Sequence, residues 1–278
     1  MSRRCFWLLS LLLIAATTVA APSSIGFAQD AANDGVTIPS KEKFRIVVLA
    51  GQSNMAGRGI VEEEDRRPLP RVYMLSRTGE WVPATDPVHY DKPAAGVGPG
   101  REFARLLAES DPSIAVGLVP TACGGSSVDD WRPGAYFSQT KSHPYDDAVA
   151  RTRRALEDGV LEAILWRQGE SDTSADKAAK HEEKLLELFA RLRAEFDAPE
   201  VPILVGELFI PNGGKGAETV RNAQIAAVSQ AQPAAFVSAE GTTLNKDNVH
   251  FDRKSQIEQG KRFFNALQEL KNVKPTEK

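Results

Sequence analysis

Five short apolar runs, Phe44–Leu49, Ile114–Val119, Leu161–Trp166, Ile203–Glu207 and Ala235–Ser238, alternate along the chain with stretches whose apolar residues recur every three or four positions. Runs of this length, rich in branched and bulky side chains, suit strands buried on both faces, and such strands need helices to cover them. The order therefore predicts successive β-α units and a mainly parallel sheet. Helices are expected at Pro99–Glu109, Tyr145–Glu157, Asp176–Phe196, Ala217–Gln230 and Ser255–Lys271. The Asp176–Phe196 stretch sets Lys177, Lys180, Glu183 and Glu187 against Leu185, Leu188, Phe189 and Leu192, a solvated face over a core face. A shorter run, Val72–Leu75, reads as an edge strand.

Loops that follow the strands of an open α/β sheet converge at its carboxyl edge, where ligands bind. Three such loops carry polar residues: Gly51-Gln52-Ser53-Asn54, Thr121 through Ser127, and Arg167-Gln168-Gly169-Glu170-Ser171-Asp172. Ser53 opens a turn, so it is either a nucleophile whose own N–H faces an anion or the N-cap of a helix. The stretch is not the Gly-x-Ser-x-Gly elbow, because Met55 stands where that motif has its second glycine. A serine hydroxyl is a poor nucleophile until a base takes its proton, so the first reading requires a histidine and a group that orients it. His89 lies in a loop, His143 precedes Pro144 at a helix start and His181 is on a charged helix; His250 alone has a carboxylate, Asp247, three residues earlier in a turn. That spacing lets the carboxylate reach the ring Nδ1 and leaves Nε2 for the serine, although a surface loop capped by an aspartate has the same pattern.

Five blocks follow one another in order: GQSNMAGRG around Ser53, GVGPGREFA from Gly96, GGSSVDDW from Gly124, WRQGESD from Trp166 and DNVHFD from Asp247. Together they resemble the sialate O-acetylesterase-like branch of the SGNH hydrolases, which includes acetylxylan esterases of carbohydrate esterase family six. The resemblance runs from Phe44 to Phe264. It implies a flavodoxin-like three-layer α/β/α sandwich with a mainly parallel central sheet, and removal of O-acetyl groups from carbohydrate. It also implies roles: Ser53 as nucleophile, His250 as base and then acid, and Asp247 as the orienting carboxylate. The oxyanion would be met by Ser53, by Gly98 (or Gly96 or Gly100) and by the Gln168 side-chain amide. Asn54 and Arg58 line the pocket or support the turn. Trp131 forms a sugar-facing wall with Asp129 and Asp130, or packs its loop. Glu170 is an alternative acid, a contact for substrate hydroxyls or a loop brace; the brace is preferred because Asp247 already has the spacing the histidine needs. Rival readings are a sialate O-acetylesterase, a simple short-chain esterase and a non-catalytic glycan-binding domain.

The start of the chain differs in kind. Ser2-Arg3-Arg4 is positive, Phe6–Ala16 is apolar and small residues follow, which reads as an export signal over 1–28, of Sec or twin-arginine type. Its apolar part is shorter than the roughly 20 residues of a spanning helix, so no stable membrane insertion is expected after signal removal. A linker over 29–40, a catalytic domain over 41–272 and a tail over 273–278 complete the expected organisation. Loss of Cys5 with the signal leaves Cys123 alone, at the end of an apolar run, where a small buried thiol is ordinary. A net charge of -3 with both signs interspersed offers nucleic acid no basic face. No two histidines stand at ligand spacing, and Gly96-x-Gly98-x-Gly100 lacks the dinucleotide pattern, so neither metal nor cofactor is implied. The expected partner is an acetylated carbohydrate. Nothing in the sequence names the sugar or the oligomeric state; loops Ile60–Pro70, Asp86–Ala95 and Arg132–Pro144 are where sugar preference would be set.

Overall fold

The structure, a computed structural model, describes residues 36–272. The export signal read over 1–28, most of the 29–40 linker and the 273–278 tail lie outside them. The strands are β1 (Phe44–Gly51), β2 (Val72–Leu75), β3 (Trp81–Pro83), β4 (Ala115–Pro120), β5 (Val160–Arg167), β6 (Ile203–Gly206) and β7 (Ala234–Val237). They form one sheet in the order β3-β2-β4-β1-β5-β6-β7, parallel except for the β2–β3 hairpin. Without that hairpin, the remaining five follow the flavodoxin-like order, second-first-third-fourth-fifth, with its switch point at β1.

The helices are α1 (Ser53–Ala56), α2 (Pro99–Ser110), α3 (Pro144–Asp158), α4 (Ala175–Ala178), α5 (His181–Glu195), α6 (Gly214–Gln230) and α7 (Arg253–Asn272). Alternation along β1 shows why they sit in two layers. Ile46 and Val48 join a core with Tyr145 of α3, Leu185 and Leu188 of α5 and Ala227 of α6, while Val47 and Leu49 join Phe103 of α2 and Phe263 of α7. Three layers result.

Three elements depart from the sequence reading. β2, expected at the edge, lies between β3 and β4, because the hairpin adds β3 outside it. β3 has three residues and includes Pro83, too short to show a period, yet Trp81 packs edge-on to Phe44 with ring centroids 4.7 Å apart and donates Nε1–H to Asp158 at 2.8 Å. The helix expected over Asp176–Phe196 is broken after α4. Ala178 packs with Leu208 and Val220, and Lys180 leaves helical backbone (φ -108°, ψ 2°) so that His181 turns fully inward. Apolar spacing runs through the break because both pieces keep their core side.

His181 has no hydrogen-bond partner for either ring nitrogen among the described residues, and burial lowers its pKa to about 4. The folded chain holds it neutral while an unfolded chain binds a proton below pH ~6.5, so its contribution is present above that pH and lost as pH falls towards 4. Burial of Asp86 acts oppositely: its carboxyl is raised to about 7, and its contribution fades as pH rises from ~4 through about 7. A His181→Leu variant should therefore lose less stability than the parent between pH 7 and pH 5, by about 2 kcal/mol. Denaturant unfolding at the two pH values measures this, and equal slopes would refute it.

Candidate active site

β1 ends at Gly51, whose φ of +122° suits glycine and where a Cβ would lie 2.1 Å from the Arg167 carbonyl oxygen. The ends of β1 and β5 can therefore touch, and the chain turns directly into α1. Gly57 closes that turn at φ +89°, packed so tightly that a Cβ would lie 2.5 Å from the Gly98 nitrogen. Gln52, not Ser53, holds the N-cap position, so the serine hydroxyl is not spent on capping.

Ser53 Oγ lies 2.9 Å from His250 Nε2, and His250 Nδ1 lies 2.7 Å from Asp247 Oδ2. Asp247 Oδ1 accepts the N–H groups of Val249 and His250, each at 2.9 Å. Burial works against the charge on Asp247, but those N–H groups and the imidazole outweigh it and hold the carboxyl at about 2. With Asp247 ionised, the shared proton sits on Nδ1, which leaves the Nε2 lone pair for the Ser53 O–H. Ser53 is 5% exposed.

Asn54 grips the histidine loop on both sides of His250. Its Oδ1 accepts the Phe251 N–H at 3.0 Å, and its Nδ2 donates to Val249 O at 3.1 Å and to Glu170 Oε1 at 2.6 Å. Behind it, Phe251 is fully buried beneath the Arg167 guanidinium, 4.2 Å from the ring centroid. Arg167 donates to Gln259 Oε1 at 2.6 Å and Glu207 O at 2.8 Å, and burial lowers its pKa to about 10. Asn245 donates Nδ2–H to Arg58 O at 3.0 Å and its N–H to His250 O at 2.7 Å. Arg58 pairs with Asp91 at 2.8 Å, and the same Asp91 oxygen accepts the Gly124 N–H at 2.9 Å.

Asn54 and Arg58 thus brace the turn, and Glu170 bonds to Asn54. Two expectations need correction. Gln168 is 1% exposed and its amide donates to Ser126 O and Asp172 Oδ2, so it has no N–H to spare for an oxyanion. Gly98 lies against the Met55 and Ala56 carbonyls behind α1. Trp131 is fully buried, donates Nε1–H to Ser126 Oγ at 3.0 Å and stands edge-on to Trp166, so it is no sugar-facing wall. Trp131→Ala should cost about 3–5 kcal/mol of stability through the cavity it leaves. Trp131→Phe should cost less and keep full turnover per folded molecule, as unfolding curves and activity assays would show.

The sequence reading did not find Asn245, Asp91 or the supporting role of Arg167. Arg167 was visible as a charge ending an apolar run; Asn245 and Asp91 act across more than thirty residues of chain and leave no local pattern. Among the described residues no three His, Cys, Asp or Glu side chains converge as metal ligands, and no helix is long and apolar enough to cross a membrane.

The family model described as carbohydrate esterase, sialic acid-specific acetylesterase matches residues 43–269. The chain belongs to this family. It is accordingly a carboxylic ester hydrolase of the carbohydrate esterase type. A probable carbohydrate esterase of Arabidopsis thaliana is 32% identical over 238 residues, which are 78% of this chain and 87% of that one. The X-ray structure of the Arabidopsis protein superimposes with a TM-score of 0.72 at 30% identity, covering 81% of this esterase and 98% of its relative. NanS (TM-score 0.64, 19% identity, 85% and 100% covered) and a carbohydrate acetylesterase from Xanthomonas citri (0.64, 18%, 82% and 56%) share the fold.

Proposed function

We propose that this esterase removes O-acetyl groups from a polysaccharide such as acetylxylan by way of an acyl-enzyme. The observation that carries the reading is the line from Ser53 Oγ through His250 to Asp247, at 2.9 and 2.7 Å. Ser53 attacks the acetyl carbonyl as Nε2 takes its proton, and the ionised Asp247 stabilises the imidazolium that forms. The sugar alcohol leaves with that proton. Water, activated by the same imidazole, then releases acetate.

The oxyanion is met by backbone N–H groups of Ser53 and of Gly125. Neither has an acceptor among the described residues, whereas the Gly124 N–H is held by Asp91 and the Ser126 N–H by Cys123 O. Cys123 donates its own N–H to Gly51 O at 2.8 Å, tying this loop to the end of β1. Such donors are worth about 3 kcal/mol each in the transition state.

A sialic acid ester is the second reading, favoured by the description of the matching family. Acetate release from acetylated xylan, O-acetylated sialic acid and p-nitrophenyl acetate separates the two; an enzyme active on none of them would overturn the proposal. Export is part of the same reading and rests on the character of residues 1–28.

Activity should fall in acid, because the imidazole must be neutral to take the serine proton. Asp247, held at about 2, stays ionised over that fall, so the acid limb of kcat/KM should carry a single proton. A steeper, two-proton limb would show that a second group titrates with the histidine.

A further inference from the structure

A cavity of about 400 Å³ opens at the carboxyl end of β4, between the turn of the β2–β3 hairpin, the 86–95 loop and the amino end of α3. Ser53 is not among its lining residues, but Cys123 is, and β4 is the sheet neighbour of β1. Adjacent strands lie ~4.8 Å apart, so the cavity begins one strand away from the serine.

Asp91 is the wall between the two. Its Oδ2 holds Arg58 and the Gly124 N–H, while its Oδ1 is buried with no hydrogen-bond partner among the described residues. His89, also lining the cavity, is kept neutral by burial, with a pKa of about 4, and one ring nitrogen has only a 3.5 Å contact with Leu49 O. Thr140 and Ser142 add hydroxyls 2.7 Å apart. The lining charges cancel: Arg77 and Arg151 stand against Asp91 and Asp147. Both guanidiniums lie over the Tyr90 ring and donate to main-chain carbonyls, Arg77 to Tyr90 O at 2.6 Å and Arg151 to Leu75 O at 2.8 Å. A hydrogen bond of 2.9 Å from Lys92 Nζ to Gln139 Oε1 joins the 86–95 loop to the 132–144 loop beside Gly125.

We propose that this cavity is a subsite for an uncharged sugar residue of the substrate, next in the glycan to the one that carries the acetyl ester. It rests on the esterase reading above. The Thr140 and Ser142 hydroxyls and a neutral imidazole on the lining are suited to hydroxyls, which both donate and accept. Balanced lining charge gives no pull on a phosphate or a carboxylate. The volume falls in the ordinary range of ligand sites.

The test uses Ser53→Ala protein and calorimetry with unacetylated tetramers of xylose, glucose and mannose, with tetragalacturonate as the charged comparison. One or more of the neutral tetramers should bind, and Ala150→Trp, a change at an exposed position of α3 on the cavity wall, should weaken that binding roughly tenfold or more. Ser142→Ala should weaken it less. In an otherwise unaltered enzyme, Ala150→Trp should raise KM for the acetylated tetramer by about the same factor and leave p-nitrophenyl acetate hydrolysis within about twofold. No binding by any neutral tetramer, tighter binding of tetragalacturonate, or binding indifferent to both variants would overturn the subsite. Failure of the parent enzyme on p-nitrophenyl acetate and on the acetylated tetramer would instead sink the esterase reading, and calorimetry would still decide the cavity.

Discussion

Replacing Ser53 by alanine should lower kcat/KM for p-nitrophenyl acetate by ~10⁴–10⁶ and leave the thermal midpoint almost unchanged. The expectation of a large loss comes from His250 Nε2, 2.9 Å from the hydroxyl, which has no other nucleophile at that distance among the described residues. The expectation of a small structural effect comes from the cap. Gln52 occupies it without a side-chain cap bond, and the buried part of α1 is carried by Met55, Ala56 and Asn54, whose side chain makes three hydrogen bonds. Some hydrolysis should survive, since the backbone donors stay in place when the hydroxyl is removed. A variant that kept more than about a hundredth of the parent rate would remove Ser53 from the nucleophile's role.

Asp247→Asn should be the next most damaging change, at ~10⁴-fold in kcat. An amide facing Nδ1 can donate to it, which would move the imidazole proton to Nε2 and leave the serine without a base. Glu170→Gln should cost far less, about tenfold, because a glutamine oxygen can still accept from Asn54 Nδ2, and only the charge on that 2.6 Å bond is lost. Measuring both variants on one substrate ranks the two carboxylates. The opposite ranking would make Glu170 the group that orients His250, and the Asp247 turn a capping device.

Asn54 explains why the second comparison is informative. Its side chain bonds the main chain before and after His250, so anything that holds Asn54 holds the imaginary line from imidazole to serine. In the sequence this residue was visible only as a polar neighbour of Ser53, equally suited to line a pocket. Glu170 was equally ambiguous because carboxylates at strand ends serve as acids, ligands and braces alike. What separates these roles is which atom lies within hydrogen-bond reach, and that partner is 116 residues away.

Gln168 and Trp131 illustrate the same limit from the other side. Each lies in a block that resembles the family's, and each has chemistry suited to a site, yet each is turned into the protein by partners the sequence does not mark: Asp172 and Ser126 for Gln168, Ser126 and Trp166 for Trp131. A donor already bonded in the interior is unavailable to an oxyanion, however well its residue type suits the task.

The sequence by itself determined the layered α/β architecture, since apolar runs and amphipathic helices must bury their faces against one another, and it determined the pairing of Asp247 with His250, since three residues of turn suffice to join them. It also determined that Ser53 follows the first strand of such a sheet. Only the tertiary structure decided that His250 reaches Ser53, which residues brace that contact, and which glycine and amide N–H groups stay free. Local periodicity and short-range turns are written in consecutive residues, whereas hydrogen bonds across 195 and more residues depend on how strand order and loop packing bring distant chain segments to one edge of the sheet.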